Sequence, residues 1–175
     1  MRIMIIALLL SAATVLAARD RDRGSIYHSQ GYRGNIEYNI GGGTGFETSM
    51  LTTHGYSFGK GLYGGLGLGV GLAPDSYAYL NVPLFMDIRY SPLKNMVSPF
   101  VDFKLGGIYE YELNRVGLMV SPSVGLDIRR WSIFFKYSYR RHTLRMYTDG
   151  AISMSIRGIL ATHNFALGVA FTFGK

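Results

Sequence analysis

Residues 77–90 read YAYLNVPLFMDIRY, and apolar and polar side chains alternate along this stretch with a period of two. Every even position is apolar or aromatic: Ala78, Leu80, Val82, Leu84, Met86, Ile88 and Tyr90. The odd positions include Asn81, Asp87 and Arg89. A helix cannot keep two such sets apart, whereas successive side chains of a strand point to opposite faces. The stretch therefore predicts a β-strand with one apolar and one polar face.

Seven further segments show the same alternation, so the sequence predicts eight strands. The other seven cover residues 35–40, 46–50, 61–72, 101–110, 118–129, 131–140 and 164–173. Turn-forming residues such as Gly41-Gly42-Gly43 and Ser91-Pro92 separate them, and only residues 142–158 form a long connection. Strands this close in sequence pair as a meander of hairpins. We therefore predict an all-β, eight-stranded, antiparallel up-and-down barrel.

Alternation alone does not say which face of the barrel meets water. A soluble lipocalin-like barrel has an apolar interior, and a membrane barrel has an apolar outside. The glycines of residues 61–71 lie on the polar face. On a solvent-exposed face they would only weaken the strand, but in a narrow barrel they make room for Tyr79 and Phe85 of the next strand. This indicates that the polar face points inward and that the barrel is transmembrane.

The polar face carries nearly equal numbers of acidic and basic side chains. They are Glu37, Glu47, Asp87, Asp102, Glu110 and Asp127 against Arg89, Lys104, Arg129, Lys136 and Arg140. A buried lumen needs such a balance because an unpaired buried charge is costly, whereas a solvated face does not. We predict a lumen charge network of Glu37, Asp87, Arg89, Asp102, Lys104, Glu110, Asp127, Arg129 and Lys136.

Aromatic side chains lie near the strand ends on the apolar face. They are Tyr90, Tyr109, Tyr111, Trp131, Phe171 and Phe173. Such girdles mark the interfaces of a membrane barrel. Strands of about 10–14 residues also suit a tilted span of the membrane.

The N-terminal residues 1–17 have the features of a secretory signal peptide. Arg2 gives a positive start, residues 3–10 are apolar, and Val15-Leu16-Ala17 precedes an expected cleavage point after Ala17 or Ala18. The apolar stretch is shorter than the roughly 20 residues that a spanning helix needs. Residues 18–31 are polar and charged and predict a flexible lead-in, and residues 32–173 predict the barrel.

Composition excludes several classes of protein. The chain of 175 residues has no Cys, which rules out disulfides and thiolate metal sites. Its formal charge is +7, but the basic residues alternate with apolar ones, as in Asp87-Ile88-Arg89, and do not form the basic patch that nucleic acid requires. We expect one domain and no nucleic-acid partner.

Several short motifs resemble those of one family. They are Gly31-Tyr32-Arg33-Gly34, Thr53-His54-Gly55-Tyr56, the glycine-alternating residues 61–71, Val82-Pro83-Leu84-Phe85, Val97-Ser98-Pro99-Phe100-Val101-Asp102 and Ser121-Pro122-Ser123-Val124-Gly125. Over residues 31–173 the chain resembles small outer-membrane β-barrel proteins of Gram-negative bacteria, OmpX-like or porin-family-like. Such chains usually end on an aromatic residue that the barrel-assembly machinery reads, but here Phe173 is followed by Gly174-Lys175.

The resemblance implies an orientation and a set of partners. Both termini would face the periplasm together with the turns near 57–61, 91–98 and 129–131. The connections near 41–45, 73–77, 112–116 and 142–158 would face outward, the longest of them into the extracellular space. The implied partners are outer-membrane lipid, lipopolysaccharide and, during biogenesis, the barrel-assembly machinery.

No motif predicts a cofactor, a metal or a catalytic residue. Gly65-Leu66-Gly67-Leu68-Gly69 imitates a dinucleotide-binding motif, but no helix follows to hold a phosphate. The four histidines are not at metal-ligand spacing, and no set of nucleophile, base and orienting group is visible. His142 is expected at the outer rim, as an interfacial or solvated residue.

An arginine cluster at the predicted outer rim has two interpretations. Arg140, Arg141 and Arg145, with Arg157 across the connection, suit bidentate contact with lipopolysaccharide phosphates. The alternative is an ordinary solvated charge run on a loop.

Three functional classes remain after these exclusions. The first, which we favour, is a monomeric structural or surface-interaction barrel with a filled, salt-bridged lumen, since an eight-stranded interior only just accommodates its side chains. The second is a narrow pore for ions or small solutes, and the third is a lipid A-modifying enzyme.

Overall fold

The computed structural model describes residues 25–43, 45–74, 80–112, 114–147 and 155–174, without the side chains of residues 143–147 and 155–160. The predicted signal peptide at residues 1–17 lies outside the described residues, as does the lead-in up to residue 24. A single 3-10 helical turn at Ile26–His28 precedes the strands. Among the described residues, no helix is long and apolar enough to cross a membrane.

Eight antiparallel strands follow in chain order and close into a barrel. They are β1 (Gly31–Gly43), β2 (Phe46–Gly59), β3 (Leu62–Leu72), β4 (Leu80–Tyr90), β5 (Val97–Glu110), β6 (Arg115–Ile128), β7 (Trp131–Tyr147) and β8 (Ser155–Gly174). Each strand pairs with its neighbours in sequence, and β1 also pairs with β8, so no edge is left open. The predicted fold class, an eight-stranded up-and-down barrel, is confirmed.

The two ends of the barrel differ in their connections. One end, here called the terminal end, contains the start of β1, the end of β8 and the turns after β2, β4 and β6. At the other, the loop end, lie the connections after β1, β3, β5 and β7. The turns of the terminal end are tight: Ile128 pairs directly with Trp131 across a two-residue turn. Arg129 adopts a left-handed backbone there, with a φ of 59°.

The hairpin of β7 and β8 is longer than the sequence predicts. The expected long connection at residues 142–158 is mostly strand, because Tyr147 still pairs with Ser155. Only residues 148–154 remain between the two strands, outside the described residues. Arginines interrupt the alternating apolar pattern at positions 140, 141, 145 and 157, and this concealed the strands from a prediction based on periodicity.

Glycines on the inner face of β3 leave space for large side chains in the lumen. A Cβ atom at Gly67 would lie 2.5 Å from the Phe85 ring, and one at Gly69 would lie 2.4 Å from the Leu51 side chain. The predicted role of these glycines beside Phe85 agrees with this geometry, while Tyr79 lies outside the described residues. A narrow lumen therefore combines glycine on one strand with bulk on the next.

The Gly67→Ala substitution is expected to lower the free energy of unfolding by about 1–3 kcal/mol, because the added methyl group overpacks the lumen against Phe85. Gly107→Ala is the matched control, since a Cβ there meets nothing closer than 3.8 Å, the carbonyl oxygen of Gly117. Urea unfolding of the two variants in lipid vesicles measures the difference. Equal stabilities would contradict the packing described here.

Candidate functional site

The outer surface of the barrel is apolar and its interior is polar. Leu66, Leu84 and Leu167 each expose more than 60% of their surface, whereas Arg89 and Lys104 are fully buried. Water-soluble proteins place these residue types the other way round. Exposed large apolar side chains occur on all eight strands, and a continuous apolar surface marks contact with another apolar phase. The barrel wall is therefore suited to lipid and the lumen to charged groups.

Replacing Leu84 with arginine is expected to lower the free energy of unfolding in phospholipid bilayers by about 2–4 kcal/mol. Leu84 lies midway along β4 and is 66% exposed on the outer face, so the arginine would stand near the bilayer centre. Tyr111→Arg, just beyond β5 at the loop end, is the control and should cost about 0–1 kcal/mol. Urea titration in vesicles measures both changes. An L84R variant as stable as the wild type would exclude a lipid-facing wall.

The predicted girdle residues divide between the two ends of the barrel. Tyr90 and Trp131 are exposed on the outer face at the terminal end, where the Trp131 ring lies 5.0 Å from that of Phe171. Phe173 contacts His54 at the same end. Tyr109 and Tyr111 lie at the loop end, and the Tyr109 hydroxyl donates to Asn114 at 2.9 Å. Aromatic side chains thus lie at both ends of the apolar band.

Two tyrosine–histidine contacts on the outer wall were not predicted. The Tyr32 hydroxyl lies 2.6 Å from Nδ1 of His54 near the terminal end, and the Tyr137 hydroxyl lies 2.6 Å from Nδ1 of His163 toward the loop end. Rings with one apolar and one polar edge suit the boundary between lipid and water. The sequence signal was available, since Tyr32 and Tyr137 lie on the outer face by strand parity.

The centre of the lumen is organised around one ammonium group. Nζ of Lys104 lies 2.9 Å from Oε1 of Glu37 on β1 and 3.7 Å from Oδ2 of Asp87 on β4. It also contacts Asp102 two residues before it on β5. All four side chains are almost completely buried. The three carboxylates have the composition of a cation site, and the Lys104 ammonium supplies the positive charge among them.

A second cation lies nearer the terminal end. Arg89 donates to Asp127 at 3.4 Å and lies 3.9 Å from Asp102. Its guanidinium carbon is 4.1 Å from the centre of the Phe100 ring, a cation–π distance. Ser132 donates to Asp127 at 2.6 Å. Hydrogen bonds and opposite charges thus offset much of the desolvation cost of these buried groups.

Arg140 belongs to the lumen, and its predicted contact with lipopolysaccharide is wrong for this side chain. It points inward and pairs with Glu47 of β2. Asn164 donates to the other Glu47 oxygen at 2.7 Å. Arg140 and Arg141 are adjacent, so strand alternation sends one inward and the other outward. The same parity had already placed Arg140 among the charges of the polar face, and grouping it with Arg141 at the outer rim ignored it.

Arg129 is the one member of the predicted charge network that lies outside the lumen. It stands exposed on the turn after β6, where its Nε contacts Sδ of Met96. The alternation of β6 ends at Ile128, and the left-handed turn redirects the next side chain. The other eight predicted members are all buried in the lumen, including Lys136 and Glu110.

His142 is also buried, although the sequence pattern placed it at the outer rim as an interfacial or solvated residue. It is fully enclosed, and its Nε2 lies 3.1 Å from Oε1 of Glu110. Gly117 on the neighbouring strand makes this possible, since a Cβ atom there would lie 2.4 Å from Nδ1 of His142.

The segment before β1 closes the terminal end of the lumen. Tyr27, in the 3-10 turn, is 1% exposed, and Arg89 donates to its hydroxyl at 3.0 Å. That hydroxyl donates to Asn35 at 2.9 Å, and Ser57 donates to the Tyr27 carbonyl at 2.7 Å. The polar and charged residues 18–31 predicted a flexible lead-in here. In its described part, residues 25–30, the segment is instead a plug anchored to the wall.

Apolar clusters fill much of the remaining lumen. Leu51, Phe85, Ile108 and Met119 form one buried cluster, and Phe100, Phe134 and Ala170 form another. The first cluster joins the opposite strands β2 and β6, and the second joins β5, β7 and β8. Together with the plug they separate the terminal end from a cavity of about 30 Å³ in the loop-end half of the lumen.

The remaining predicted contacts with lipopolysaccharide lie on the long hairpin. Arg141 is exposed on the outer face of β7. Arg145 of β7 pairs in register with Arg157 of β8, and Arg141 is four residues before Arg145 on the same strand. By strand parity all three positions share one face of the hairpin. The side chains of Arg145 and Arg157 lie outside the described set.

No protein-family model matches the sequence, and a search of curated protein sequences finds no match. Among solved structures, Neisserial surface protein A superposes with a TM-score of 0.48 at 10% identity, over 81% of this chain and 96% of that one. A major outer membrane protein from Thermus thermophilus superposes with a TM-score of 0.38 at 15% identity, over 82% of this chain and 100% of that one. Both TM-scores are below 0.5, so neither similarity by itself assigns a role to this chain.

Proposed function

We propose that the chain is an integral outer-membrane protein with a filled, non-conducting lumen and a structural or surface-interaction role. The observation that carries the proposal is the inverted distribution of side chains, with exposed leucines outside and Lys104 buried among three carboxylates inside. Closure supports it, because a barrel without edges leaves no backbone group unpaired in lipid. β1 pairs with β8 along eleven residue pairs.

We propose the outer membrane as its location, because single-chain antiparallel barrels with an even number of strands are characteristic of that membrane. The signal peptide predicted at residues 1–17 supports export. In the proposed orientation the terminal end faces the periplasm, since this class has short periplasmic turns and longer outer connections. The long hairpin of β7 and β8 then projects outward.

The proposed partners are lipid, lipopolysaccharide and the barrel-assembly machinery. The support for lipopolysaccharide is the exposed Arg141 on the outer face of β7, together with arginines at the paired positions 145 and 157 of the same hairpin. Phosphate groups of lipopolysaccharide have the charge and geometry for bidentate arginine contacts. The aromatic end of β8, with Phe171 and Phe173, is the proposed signal for assembly. We propose no catalytic step for the protein and expect it to be a monomer.

A narrow pore is the second candidate, and one observation favours it. The loop-end half of the lumen holds a cavity of about 30 Å³ whose lining includes the polar side chains of Lys136, Ser121 and Asn81, which is room for a few water molecules. The cluster of Leu51, Phe85, Ile108 and Met119 and the Tyr27 plug argue against a continuous path. A conducting state would require both to move.

Fractionation and single-channel recording test the proposal together. We expect the protein in the outer-membrane fraction, with a gel mobility that changes on boiling because the closed barrel resists detergent until heated. In planar bilayers we expect no stable unitary conductance. Stable conductance steps would favour the pore, and a soluble periplasmic protein without a mobility shift would contradict the membrane assignment.

A further inference from the structure

A shallow apolar groove lies on the outer wall, where β8 stands between β7 and β1. In register, Phe171 of β8 pairs with Ile36 of β1 and with Trp131 of β7. Two residues earlier on β8, Val169 pairs with Tyr38 of β1. All five residues line the groove. Val169 is shorter than the rings around it, so the wall is recessed between Tyr38 and Trp131.

The two-residue turn of Arg129 and Arg130 borders this groove at the terminal end of the barrel. Arg130 comes directly before Trp131, and its carbonyl oxygen accepts a hydrogen bond from the backbone N–H of Thr172 at 2.7 Å. Because Thr172 follows Phe171 on β8, this bond fixes the turn beside the groove. The side chains of both arginines are exposed.

The positive charge of this turn is not balanced by an exposed carboxylate of the described residues. Apart from Glu112 at the loop end, every carboxylate in the described ranges is buried in the lumen. The other two turns of the terminal end add further exposed cations, Lys60 and Lys94. The described surface of the terminal end is therefore positive and favours an anionic partner over a neutral one.

We infer that the groove and the turn together bind one anionic phospholipid, with its phosphate on Arg130 and an acyl chain between Tyr38 and Trp131. A phospholipid carries its phosphate at the membrane interface, which the aromatic girdle marks here, and its chains run from there toward the bilayer centre. Arginine suits the phosphate because its guanidinium can donate two parallel hydrogen bonds. The site presupposes the proposed function, since only a barrel embedded in a bilayer meets lipid along its wall. In the proposed orientation it lies in the periplasmic leaflet, away from lipopolysaccharide.

Quenching of tryptophan fluorescence by brominated lipid tests the site, because Trp131 is the single tryptophan of the chain. The protein is reconstituted in phosphatidylcholine vesicles that contain an equal small fraction of either brominated phosphatidylglycerol or brominated phosphatidylcholine, with identical brominated chains. We expect phosphatidylglycerol to be favoured at Trp131 about fivefold, the effect of one arginine near a membrane surface. Arg130→Gln should remove this preference.

Two matched pairs of variants separate the turn from the groove. Lys94→Gln removes the same charge from the turn after β4, on the opposite side of the barrel, and should keep the preference. Val169→Phe fills the groove without changing the charge and should lower the preference. Val101→Phe, on the outer face of β5, should leave the preference unchanged.

Equal quenching of the wild type by the two brominated lipids would overturn the site, and this comparison needs no variant. An equal loss of preference in Lys94→Gln and Arg130→Gln would also overturn it, because it would indicate a general surface charge. If neither lipid quenched Trp131, a second copy of the chain would cover the groove instead of lipid. In each case a gel mobility that still changes on boiling would leave the proposed function intact. A protein that did not insert into the vesicles would contradict both.

Discussion

Replacing Lys104 with methionine is expected to lower the free energy of unfolding by about 3–5 kcal/mol, because removing one partner of a buried ionic cluster leaves the others uncompensated. Lys104 is the cation closest to Glu37 and Asp87, at 2.9 and 3.7 Å. Methionine preserves most of the side-chain volume, so packing changes little and the effect is mainly electrostatic. Urea unfolding in lipid vesicles, monitored by the gel mobility that changes on boiling, measures the loss of free energy of unfolding.

Two further variants separate this electrostatic effect from a general disturbance. Adding Glu37→Gln and Asp87→Asn to the Lys104→Met variant removes two of the three carboxylates that lost their contact with Lys104. This should recover a substantial part of the lost stability. Lys94→Met, on an exposed turn, should change stability by less than about 0.5 kcal/mol. If Lys104→Met behaved like Lys94→Met, the lumen charge network would not be a stabilising element of the fold.

Replacing Tyr27 with alanine should also be strongly destabilising, by about 3–5 kcal/mol, as for other large aromatic side chains truncated in a core. Tyr27 is 1% exposed, and its ring packs edge-on against Tyr63 with centroids 5.7 Å apart. Tyr27→Phe keeps the ring and removes the hydroxyl that accepts from Arg89. This smaller change should cost about 1–3 kcal/mol, because a buried charged donor loses its acceptor.

The control for the plug is Gln30→Ala, an exposed side chain of the same segment, which should be nearly neutral. Thermal unfolding by circular dichroism in detergent micelles compares the three variants. If Tyr27→Ala and Gln30→Ala had the same stability, residues 25–30 would not act as a plug.

Alkaline pH gives an independent measurement of the Tyr27 plug. Burial raises the pKa of Tyr27 to about 12 from its ordinary value of 10.0. Below pH 10 the hydroxyl is neutral in both states and its contribution to stability is complete. Between pH 10 and 12 the unfolded state ionises while the folded state keeps the proton, so stability falls by about 1.4 kcal/mol per pH unit.

The difference between wild type and Tyr27→Phe isolates this dependence from that of the other tyrosines. It should be constant below pH 10 and shrink between pH 10 and 12. A difference that did not change with pH would indicate that the Tyr27 hydroxyl is reached by solvent in the folded state.

The barrel could be predicted from the sequence because strand alternation is local. In residues 80–90 the outward set and the inward set are separated by parity alone, and the structure keeps that separation without exception. The glycines of residues 61–71 and the balanced charges lie on the polar face, and both indicated that this face points into the lumen. The β7–β8 extension was missed because arginines break the apolar pattern where the strands leave the apolar band.

The pairing within the lumen could not be predicted in the same way. Parity identifies Glu37 and Lys104 as inward-facing, but their contact joins β1 to β5 across the barrel and depends on shear and side-chain length. The Tyr27 plug was missed for a related reason. An apolar pair, Ile26-Tyr27, within a polar segment was the available signal, and only the closed barrel supplies the pocket that receives it.

Thiol labelling at Leu84 tests the central claim, a lipid-facing wall around a charged lumen, most directly. The chain has no cysteine, so Leu84→Cys and Tyr111→Cys each introduce a single thiol. In phospholipid vesicles a membrane-impermeant, water-soluble thiol reagent should modify the cysteine at 111 rapidly and leave the one at 84 unmodified until detergent is added. Equal labelling of both positions in intact vesicles would show that Leu84 faces water and would contradict the account.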